Sequence, residues 1–549
     1  MNMELLWEKL EEPGSLLTQE FAECVLSIYK ELKSENNQKI RHEVYEKIYR
    51  SIAKTNVYMG VYLYSVLVYL EFDTHVMEEF IEYVRKQDML NYQNKYYLFY
   101  QIANMIFLHP ELETEPVLTA KWRLLEQVKT EISQKLTKSL QKIPREQRDA
   151  EMVLVITEQF LGASHGPTKT ALDRCVSLVN AMGKKVLLIN TAELFTEVGK
   201  MPILFYYKGN YNKILSEQEF QSWKGVEIPY FQCDCTLPEV QIYEVLLQMV
   251  EQIKPMYVVN IGGSSVFAGL VDEMVPTLTV GTTQSGLAVT LTSYQAVHGK
   301  LNDTWKLVCK NTGKTEQHMI HGRFTFSLKE QLEHTSREKE QLPDKQFLLA
   351  VVGARLDEEV TDDFLKMLRG VLSPQIGVVF IGKFETYEKV AERYPNIRQY
   401  MYQLGFCSDI LSKLEICDLY VNPTRKGGGT SAVEAMSKGL PTISVSYGDV
   451  AGIIGEEFCC RDYEEMAELI GRYAKDDKFY QKKAEDAKSW QNYIWTQTAN
   501  LKGLWRNMTE GKQKYEKNTF LSMAFFYEQR NGARVAKIRN SLRYILLSI

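Results

Sequence analysis

The sequence has no block of lysine or arginine residues and no long uninterrupted apolar stretch. Its net charge is −5 and its isoelectric point is about 6.1. Because nucleic acids are bound through basic surfaces, this charge balance argues against a nucleic-acid partner. The most apolar stretch, residues 57–72, is short and contains four tyrosines, which indicates a buried helix and no membrane span.

Paired cysteines are also missing. The nine cysteines are scattered and odd in number, and no spacing among them matches a zinc site. The histidines show no ligand spacing either, so the sequence implies no metal. The first residues carry acids where a secretion signal carries basic side chains. We therefore expect buried free thiols and a cytoplasmic protein.

Glycine and proline are sparse in the first 148 residues. Apolar residues recur there at three- and four-residue spacing, as in Phe21, Val25 and Ile28, which predicts amphipathic helices. The pattern of apolar residues changes near Pro144, after which they recur with a different period. The sequence therefore predicts an all-helical N-terminal domain at 1–148, which is called the leader below.

From residue 149, short β-branched runs alternate with helical segments, which predicts βαβ units and a parallel sheet. A first α/β lobe is expected at 149–335, with a helix at 167–182 and strands at 152–157, 185–190, 203–207 and 256–261. Residues 305–309 and 323–327 flank a turn and are interpreted as a hairpin that ends this lobe. A polar linker is expected at about 330–345.

The same alternation restarts in a second lobe, expected at 346–510, before a helical tail at 511–549. Its predicted strands are 346–352, 377–381, 419–422 and 441–445, with helices that begin near 361, 430 and 463. The predicted fold class is α/β, with two Rossmann-like lobes preceded by an all-α domain. Open parallel sheets bind ligands at the carboxyl ends of their strands, so the cleft between the lobes is the expected site.

The segment 422–441 carries the most specific pattern. Between a predicted strand and a predicted helix stand three glycines, Gly427, Gly428 and Gly429, which let a backbone approach a ligand closely. The amides at the start of the helix, near Thr430 or Ser431, are unpaired and lie at the positive end of the helix dipole. This arrangement predicts an anion site that is suited to a diphosphate.

Charged side chains belong to the same segment. Arg425 and Lys426 are expected to add positive charge to the anion site. Glu434 lies one turn into the helix, within reach of a ribose whose phosphates occupy the helix start. An alternative interpretation is that Ser431 and Glu434 form a capping box that only stabilises the helix.

The run Glu-Ala-Met-Ser-Lys-Gly-Leu-Pro at 434–441 resembles a signature of the GT-B glycosyltransferases. It is most similar to that of the large retaining family, group 1, which has two glutamates eight positions apart. The resemblance implies that Glu434 binds the ribose of a nucleotide-activated sugar. The first glutamate is replaced here by Lys426, and this departure bears on the donor-sugar contact and on retention of configuration.

A second segment, residues 351–357, resembles the family's loop whose arginine grips the pyrophosphate. The resemblance implies that role for Arg355, beside Gly353, and the fork of a guanidinium suits phosphate oxygens. The lysine that follows in the family is replaced by acidic residues, so Lys426 or Lys383 would supply its charge. The alternative for Arg355 is a surface salt bridge to those acids.

Further loops at the expected cleft supply the remaining candidates. Residues 404–409 are similar to the loop that holds the nucleotide base in the family, which implies contacts from Gly405 and Phe406. In the first lobe, His165 follows the first strand and is interpreted as a general base or as a donor-sugar contact; a polar loop histidine is the alternative. The run Gly-Gly-Ser-Ser at 262–265 is a second candidate cleft loop.

The resemblance implies a glycosyltransferase that moves a hexosyl or N-acetylhexosaminyl group from a UDP-sugar to a protein or glycan acceptor. No cofactor is required, because helix dipoles and basic side chains stabilise the diphosphate in GT-B enzymes. An all-helical domain before such a core resembles the HMW-type adhesin glycosyltransferases, which implies acceptor docking or assembly into a homo- or hetero-oligomer. The alternatives are a sugar-nucleotide epimerase of the same fold and a non-catalytic subunit that positions a glycosylation partner.

Overall fold

The computed structural model describes residues 6–8, 10, 17–34, 38–162, 165–195, 197–283, 287–298, 301–322 and 330–494. Within these ranges the chain forms a helical region followed by two α/β lobes with parallel sheets, which confirms the predicted fold class. The predicted strand at 323–327 and the predicted tail at 511–549 lie outside the described residues. Among the helices that are described, none is long and apolar enough to cross a membrane.

Six helices of the leader are described: α1 (Gln19–Ser34), α2 (Gln38–Ile52), α3 (Val57–Glu71), α4 (Thr74–Lys86), α5 (Tyr92–Leu108) and α6 (Glu115–Ser133). Side-chain caps fix several of the starts. Asn56 accepts a hydrogen bond from the Met59 amide at the start of α3, and Asp73 caps α4 in the same way. The apolar stretch at 57–72 is therefore a buried helix, as expected, because α3 is enclosed by its neighbours.

The first lobe has an eight-stranded sheet in the order β3-β4-β2-β1-β5-β6-β7-β8, of which β3 alone is antiparallel to its neighbour. The strands are β1 (Asp149–Thr157), β2 (Lys185–Asn190), β3 (Phe220–Trp223), β4 (Val226–Gln232), β5 (Pro255–Ile261), β6 (Thr277–Val280), β7 (Tyr294–His298) and β8 (Met319–Gly322). The helices between them are α7 (Gly166–Met182), α8 (Val240–Ile253), α9 (Val266–Met274) and α10 (Asp303–Asn311).

The second lobe has a six-stranded parallel sheet in the order β11-β10-β9-β12-β13-β14. The strands are β9 (Phe347–Gly353), β10 (Ile376–Gly382), β11 (Met401–Gly405), β12 (Leu419–Asn422), β13 (Thr442–Val445) and β14 (Cys459–Cys460). The helices are α11 (Leu356–Glu359), α12 (Asp362–Val371), α13 (Tyr387–Arg393), α14 (Ile410–Leu414), α15 (Gly429–Ser437), α16 (Gly448–Ile454), α17 (Tyr463–Lys475) and α18 (Asp477–Ile494).

The leader and the first lobe share one hydrophobic core. Alternate residues of β1 face opposite sides of the sheet. Met152 and Leu154 join the cluster that contains the leader helices, whereas Val153 and Val155 join a second cluster under α7. The change in the period of apolar residues near Pro144 therefore marks a change of secondary structure within a common core. The boundary at residue 148 stays a prediction.

Two predicted strands of the first lobe are wrong. Residues 203–207 form no strand, because their backbone is bonded by leader side chains: the Gln101 amide donates to the Tyr207 carbonyl at 3.0 Å and accepts from the Tyr207 amide at 2.6 Å. Residues 305–309 belong to α10, whose start is capped by Asn302. The predicted hairpin is therefore a helix on that side, and its apolar spacing fits period 3.6 as well as period 2.

The cysteines and the linker also differ in detail from expectation. No disulfide joins the nine cysteines, all of which lie in described residues, but only five of them are buried. The polar segment at 330–345 packs on the second lobe: Arg337 pairs with Asp418 at 2.7 Å, and Asp409 accepts from the Leu332 amide at 2.7 Å. This segment is thus anchored to the second lobe along part of its length.

Candidate functional site

The candidate residues of the second lobe lie at the carboxyl ends of its strands. Gly353 ends β9 opposite Gly382 of β10, and Gly405 ends β11 beside Ile381. The glycine segment leaves β12 after Asn422, which pairs in register with Ser444 of β13. Because parallel strands finish at the same edge of a sheet, the three predicted loops open onto one side of the lobe.

The loop between β12 and α15 is held from beneath by Arg425. This side chain is buried, and its guanidinium donates to the Asn422 carboxamide oxygen at 2.8 Å and to the Tyr420 hydroxyl at 3.0 Å. It also forms a short ion pair with Glu359. The guanidinium is therefore bonded within the interior of the loop, and the expectation that Arg425 adds charge to the anion site stays a prediction.

Two of the three glycines are required because a larger side chain would clash with neighbouring atoms. Gly428 has a backbone φ of +101°, and a methyl group added there would lie 2.6 Å from an Arg425 nitrogen. A methyl group added at Gly429 would lie 2.4 Å from Ile453 Cδ1. At Gly427 the nearest atoms would be 3.6 and 4.0 Å away, in Arg355 and in Phe107. Of the three glycines, Gly427 is therefore the one at which a side chain would fit, next to Arg355.

The helix after these glycines begins at Gly429, slightly earlier than predicted. Its N-cap is Gly428, and no side chain caps it. The Ser431 hydroxyl donates to the Gly428 carbonyl at 2.9 Å and bonds the Tyr420 hydroxyl at 2.8 Å. The capping box that was the alternative interpretation is therefore not formed. The amides at this helix start therefore have no side-chain cap.

Glu434 is buried one turn into α15 and meets the first lobe. Its carboxylate lies 3.8 Å from the Lys169 ammonium group, which belongs to the first turn of α7. A methyl group added at Gly166, at the start of α7, would lie 3.9 Å from the Thr430 hydroxyl. The starts of α7 and α15 therefore face each other across the cleft. Lys169 was missed in the sequence because its partner is distant along the chain.

Arg355 lies beside the glycine loop. Its guanidinium bonds Glu359 at 3.0 Å, as its alternative interpretation required, but its side chain is still 46% exposed. Its guanidinium carbon lies 5.2 Å from the centre of the Phe107 ring of the leader. Lys383 is 63% exposed and pairs with Glu385 at 3.0 Å. Its assignment to the diphosphate stays a prediction.

Lys426, the residue in place of the first glutamate, is bonded to the leader. Its ammonium group donates to the Glu113 carboxylate at 2.9 Å, and both side chains are largely buried. Lys121 of α6 lies in the same charged region. Burial, followed by the charge of Lys426, lowers the pKa of Lys121 to about 8, against the opposing effects of Glu113 and Glu158. Leader residues thus contribute to this side of the cleft.

The loop predicted to hold a base presents an aromatic ring. Gly405 ends β11 with a φ of +67°, which turns the chain sharply. Phe406 follows and is 74% exposed. Burial raises the pKa of Cys407, and the charge of Glu434 is among the weaker contributions, so the loop lies in the neighbourhood of α15. An exposed ring here offers a surface on which a planar base can stack.

His165 occupies the N-cap position of α7. Its Nδ1 atom lies 3.0 Å from the Thr168 hydroxyl, which also accepts the Leu161 amide at 2.9 Å. Burial, followed by the charges of Lys169 and Arg355, lowers the pKa of His165 to about 4. The imidazole is therefore neutral at pH 7, and its role as a general base or as a donor-sugar contact stays a prediction.

The second candidate loop, at 262–265, is already occupied by a carboxylate of the protein. Glu158 accepts hydrogen bonds from the Gly263 amide at 2.6 Å and from the Ser265 amide at 2.9 Å. Burial and the nearby charge of Glu193 raise the pKa of Glu158 to about 7. These amides are therefore already hydrogen-bonded within the first lobe. In the part of the chain that the structure describes, no group of acidic, histidine or cysteine side chains is arranged to hold a metal.

Comparisons with known proteins place the molecule in a class. Residues 333–490 match the family model of the glycosyl transferases group 1. The structure of the O-GlcNAc transferase of Thermobaculum terrenum is similar, with a TM-score of 0.50 at 12% identity, over 90% of this chain and 98% of that one. No curated protein sequence matches the chain.

Other solved structures are more distant in shape. HepE of Anabaena, in complex with UDP and glucose, has a TM-score of 0.47 at 13% identity, over 66% of this chain and 100% of that one. A glycosyltransferase from Rickettsia africae has a TM-score of 0.46 at 11% identity, over 66% of this chain and 98% of that one. At such identities a structural likeness reports on the fold alone.

The molecule therefore has the two-lobed fold of the GT-B glycosyltransferases, preceded by a helical region. Its second lobe matches the model of the glycosyl transferases group 1, the family that the run at 434–441 resembles. The family match covers the second sheet, the glycine loop and α15, but not the leader or the first lobe.

The glycine loop gives a matched pair of substitutions. We expect Gly428→Ala to lower the free energy of unfolding by about 1–3 kcal/mol, because it places a side chain at positive φ against the Arg425 guanidinium. Gly427→Ala should change it by less than about 1 kcal/mol, because the added methyl group makes only ordinary contacts. Urea titration measures both. Equal losses of unfolding free energy in the two variants would contradict the conclusion that Gly428 is sterically restricted and Gly427 is not.

The lowered pKa of His165 predicts an acid-labile contribution to stability. Between the folded value of about 4 and the ordinary value of about 6.5, the unfolded chain binds a proton that the folded chain does not. Stability therefore rises with pH across this window and falls by about 3 kcal/mol as the pH drops through it. We expect His165→Asn to lose less stability than the native chain between pH 7 and pH 4, measured by urea titration at each pH.

The control for this pH dependence is His75→Asn, because the His75 side chain is 74% exposed on the leader. That variant should follow the native chain at both pH values. An acid loss in His165→Asn as large as that of the native chain would show that the imidazole is not held neutral by its surroundings.

Proposed function

We propose that the chain transfers a sugar from a UDP-linked donor to a hydroxyl or amide group of a protein or glycan acceptor. The observation that carries the proposal is the uncapped start of α15 at Gly429, which faces the start of α7 across the cleft. Two helix N-termini that lie this close together favour a ligand with concentrated negative charge. Arg355, partly exposed beside Gly427, adds a guanidinium that suits a diphosphate.

Sugar transfer requires that the negative charge on the leaving diphosphate is stabilised. As the bond between the sugar and the diphosphate breaks, negative charge develops on the leaving phosphate oxygen, and preorganised donors lower the energy of that state. We assign this role to the amides at the start of α15, to Arg355 and to Lys426. No metal is part of the proposal. These assignments rest on positions at the loop and on the match of the second lobe to group 1.

The remaining site residues fit around the diphosphate. We assign Glu434 to the ribose, because its carboxylate lies one turn into α15 and meets the cation Lys169. Gly353, Gly405 and Phe406 border the same edge of the sheet, and Phe406 offers its ring to the base. The low pKa of His165 favours a hydrogen bond to a sugar hydroxyl over the role of general base.

The domain roles are part of the proposal. We place nucleotide-sugar binding in residues 346–510, the acceptor side in 149–335, and acceptor docking or assembly in the leader. A hexose or N-acetylhexosamine is the proposed group transferred.

A second candidate function is a non-catalytic subunit that binds a nucleotide sugar and positions a glycosylation partner. The observation that favours it is Lys426, which replaces the first glutamate and is bonded to Glu113. Turnover separates the two functions. Release of UDP from a UDP-sugar by the isolated chain, with or without acceptor, supports the transferase, whereas binding without turnover supports the subunit.

Replacement of Glu434 tests the ribose assignment. We expect Glu434→Gln to weaken UDP binding by about 1–3 kcal/mol, because a charged hydrogen bond to the ribose is lost. The native chain should prefer UDP to 2′-deoxy-UDP, and the variant should lose most of that preference. Isothermal titration calorimetry with both nucleotides measures this.

The matched control is Glu464→Gln, because Glu464 is exposed in the first turn of α17. Its affinities should equal those of the native chain. The ribose assignment would be overturned by a Glu434→Gln variant that keeps the native preference for UDP over 2′-deoxy-UDP.

A further inference from the structure

The leader touches the glycine loop directly, although the family match leaves it out. Phe107, near the end of α5, is the residue next to which a methyl group at Gly427 would lie, at 4.0 Å. The same ring lies 5.2 Å from the guanidinium carbon of Arg355. A cation over an aromatic face is attracted to it and loses orientational freedom. The leader therefore orients the arginine at the phosphate end of the predicted site.

A second leader residue holds the other cation of the loop. Glu113 follows the short helical turn after α5 and accepts a 2.9 Å bond from Lys426. The Lys426 carbonyl also accepts the Asp449 amide at 2.8 Å, so the backbone of this residue is fixed as well. An ammonium group on a flexible stem is placed by such contacts rather than by its own stiffness. Glu113 is thus positioned to set the direction of Lys426.

We propose that the leader is part of the donor site: Phe107 and Glu113 position Arg355 and Lys426 for the diphosphate. The inference rests on the proposed function, because it takes a nucleoside diphosphate as the ligand. It assigns the placement of both cations to a helical region outside the family match.

The test compares UDP with uridine on the full chain by isothermal titration calorimetry. We expect Phe107→Leu to weaken UDP binding roughly fivefold and to leave uridine binding unchanged, because only UDP carries the diphosphate that Arg355 would meet. Phe107→Tyr should keep the native ratio of the two affinities, since it keeps the aromatic face.

The matched control is Tyr49→Leu, because Tyr49 is an aromatic residue of α2 in the leader whose hydroxyl bonds Glu79 at 2.8 Å. It should bind both ligands as the native chain does. A Phe107→Leu variant with the native ratio of UDP to uridine affinity would overturn the inference and leave the proposed function standing. A native chain that binds no UDP would overturn both.

Discussion

The Glu359 carboxylate connects the two arginines on which the site depends. One oxygen bonds Arg355, and the other pairs with the buried Arg425. Arg425 in turn supports the backbone that carries Gly428, through Asn422 and Tyr420. Removal of one member of such a buried ion pair leaves an uncompensated charge, which is among the most destabilising changes in a protein. The shape of the glycine loop and the position of Arg355 are therefore set by the same carboxylate.

The helix start at Gly429 gains its chemical character from this support. Because Arg425 fills the space beneath the loop, the chain turns at positive φ, and α15 begins without a side-chain cap. Because the first lobe brings α7 to the same place, the cleft is bounded by two helix N-termini and by the Lys169–Glu434 pair. The leader completes this boundary with Phe107 and Glu113. Three parts of the chain thus meet at one point, and charge rather than apolar contact dominates there.

The sequence predicted the parts of this arrangement that are local. The strand that ends at Asn422, the three glycines and the following helix could be read from one segment, and the fold class was confirmed. The role of Arg425 was not visible, because a basic residue next to glycines looks the same whether it points outward or inward. The roles of Phe107, Glu113 and Lys169 depend on contacts between residues far apart in sequence. The strand at 203–207 failed for the same reason, since its backbone partner is Gln101 of the leader. The assigned site residues stay predictions.

Amide hydrogen exchange on the full chain, with and without UDP, tests the central claim most directly. The amides of residues 429–431 have no acceptor within α15, so they exchange readily in the free protein. If a diphosphate binds at this helix start, their exchange slows when UDP is added, and that of residues 165–169 and 107–121 slows with it. Uridine alone should protect these segments much less. Protection by UDP that leaves 429–431 unchanged would place the nucleotide elsewhere and contradict the account.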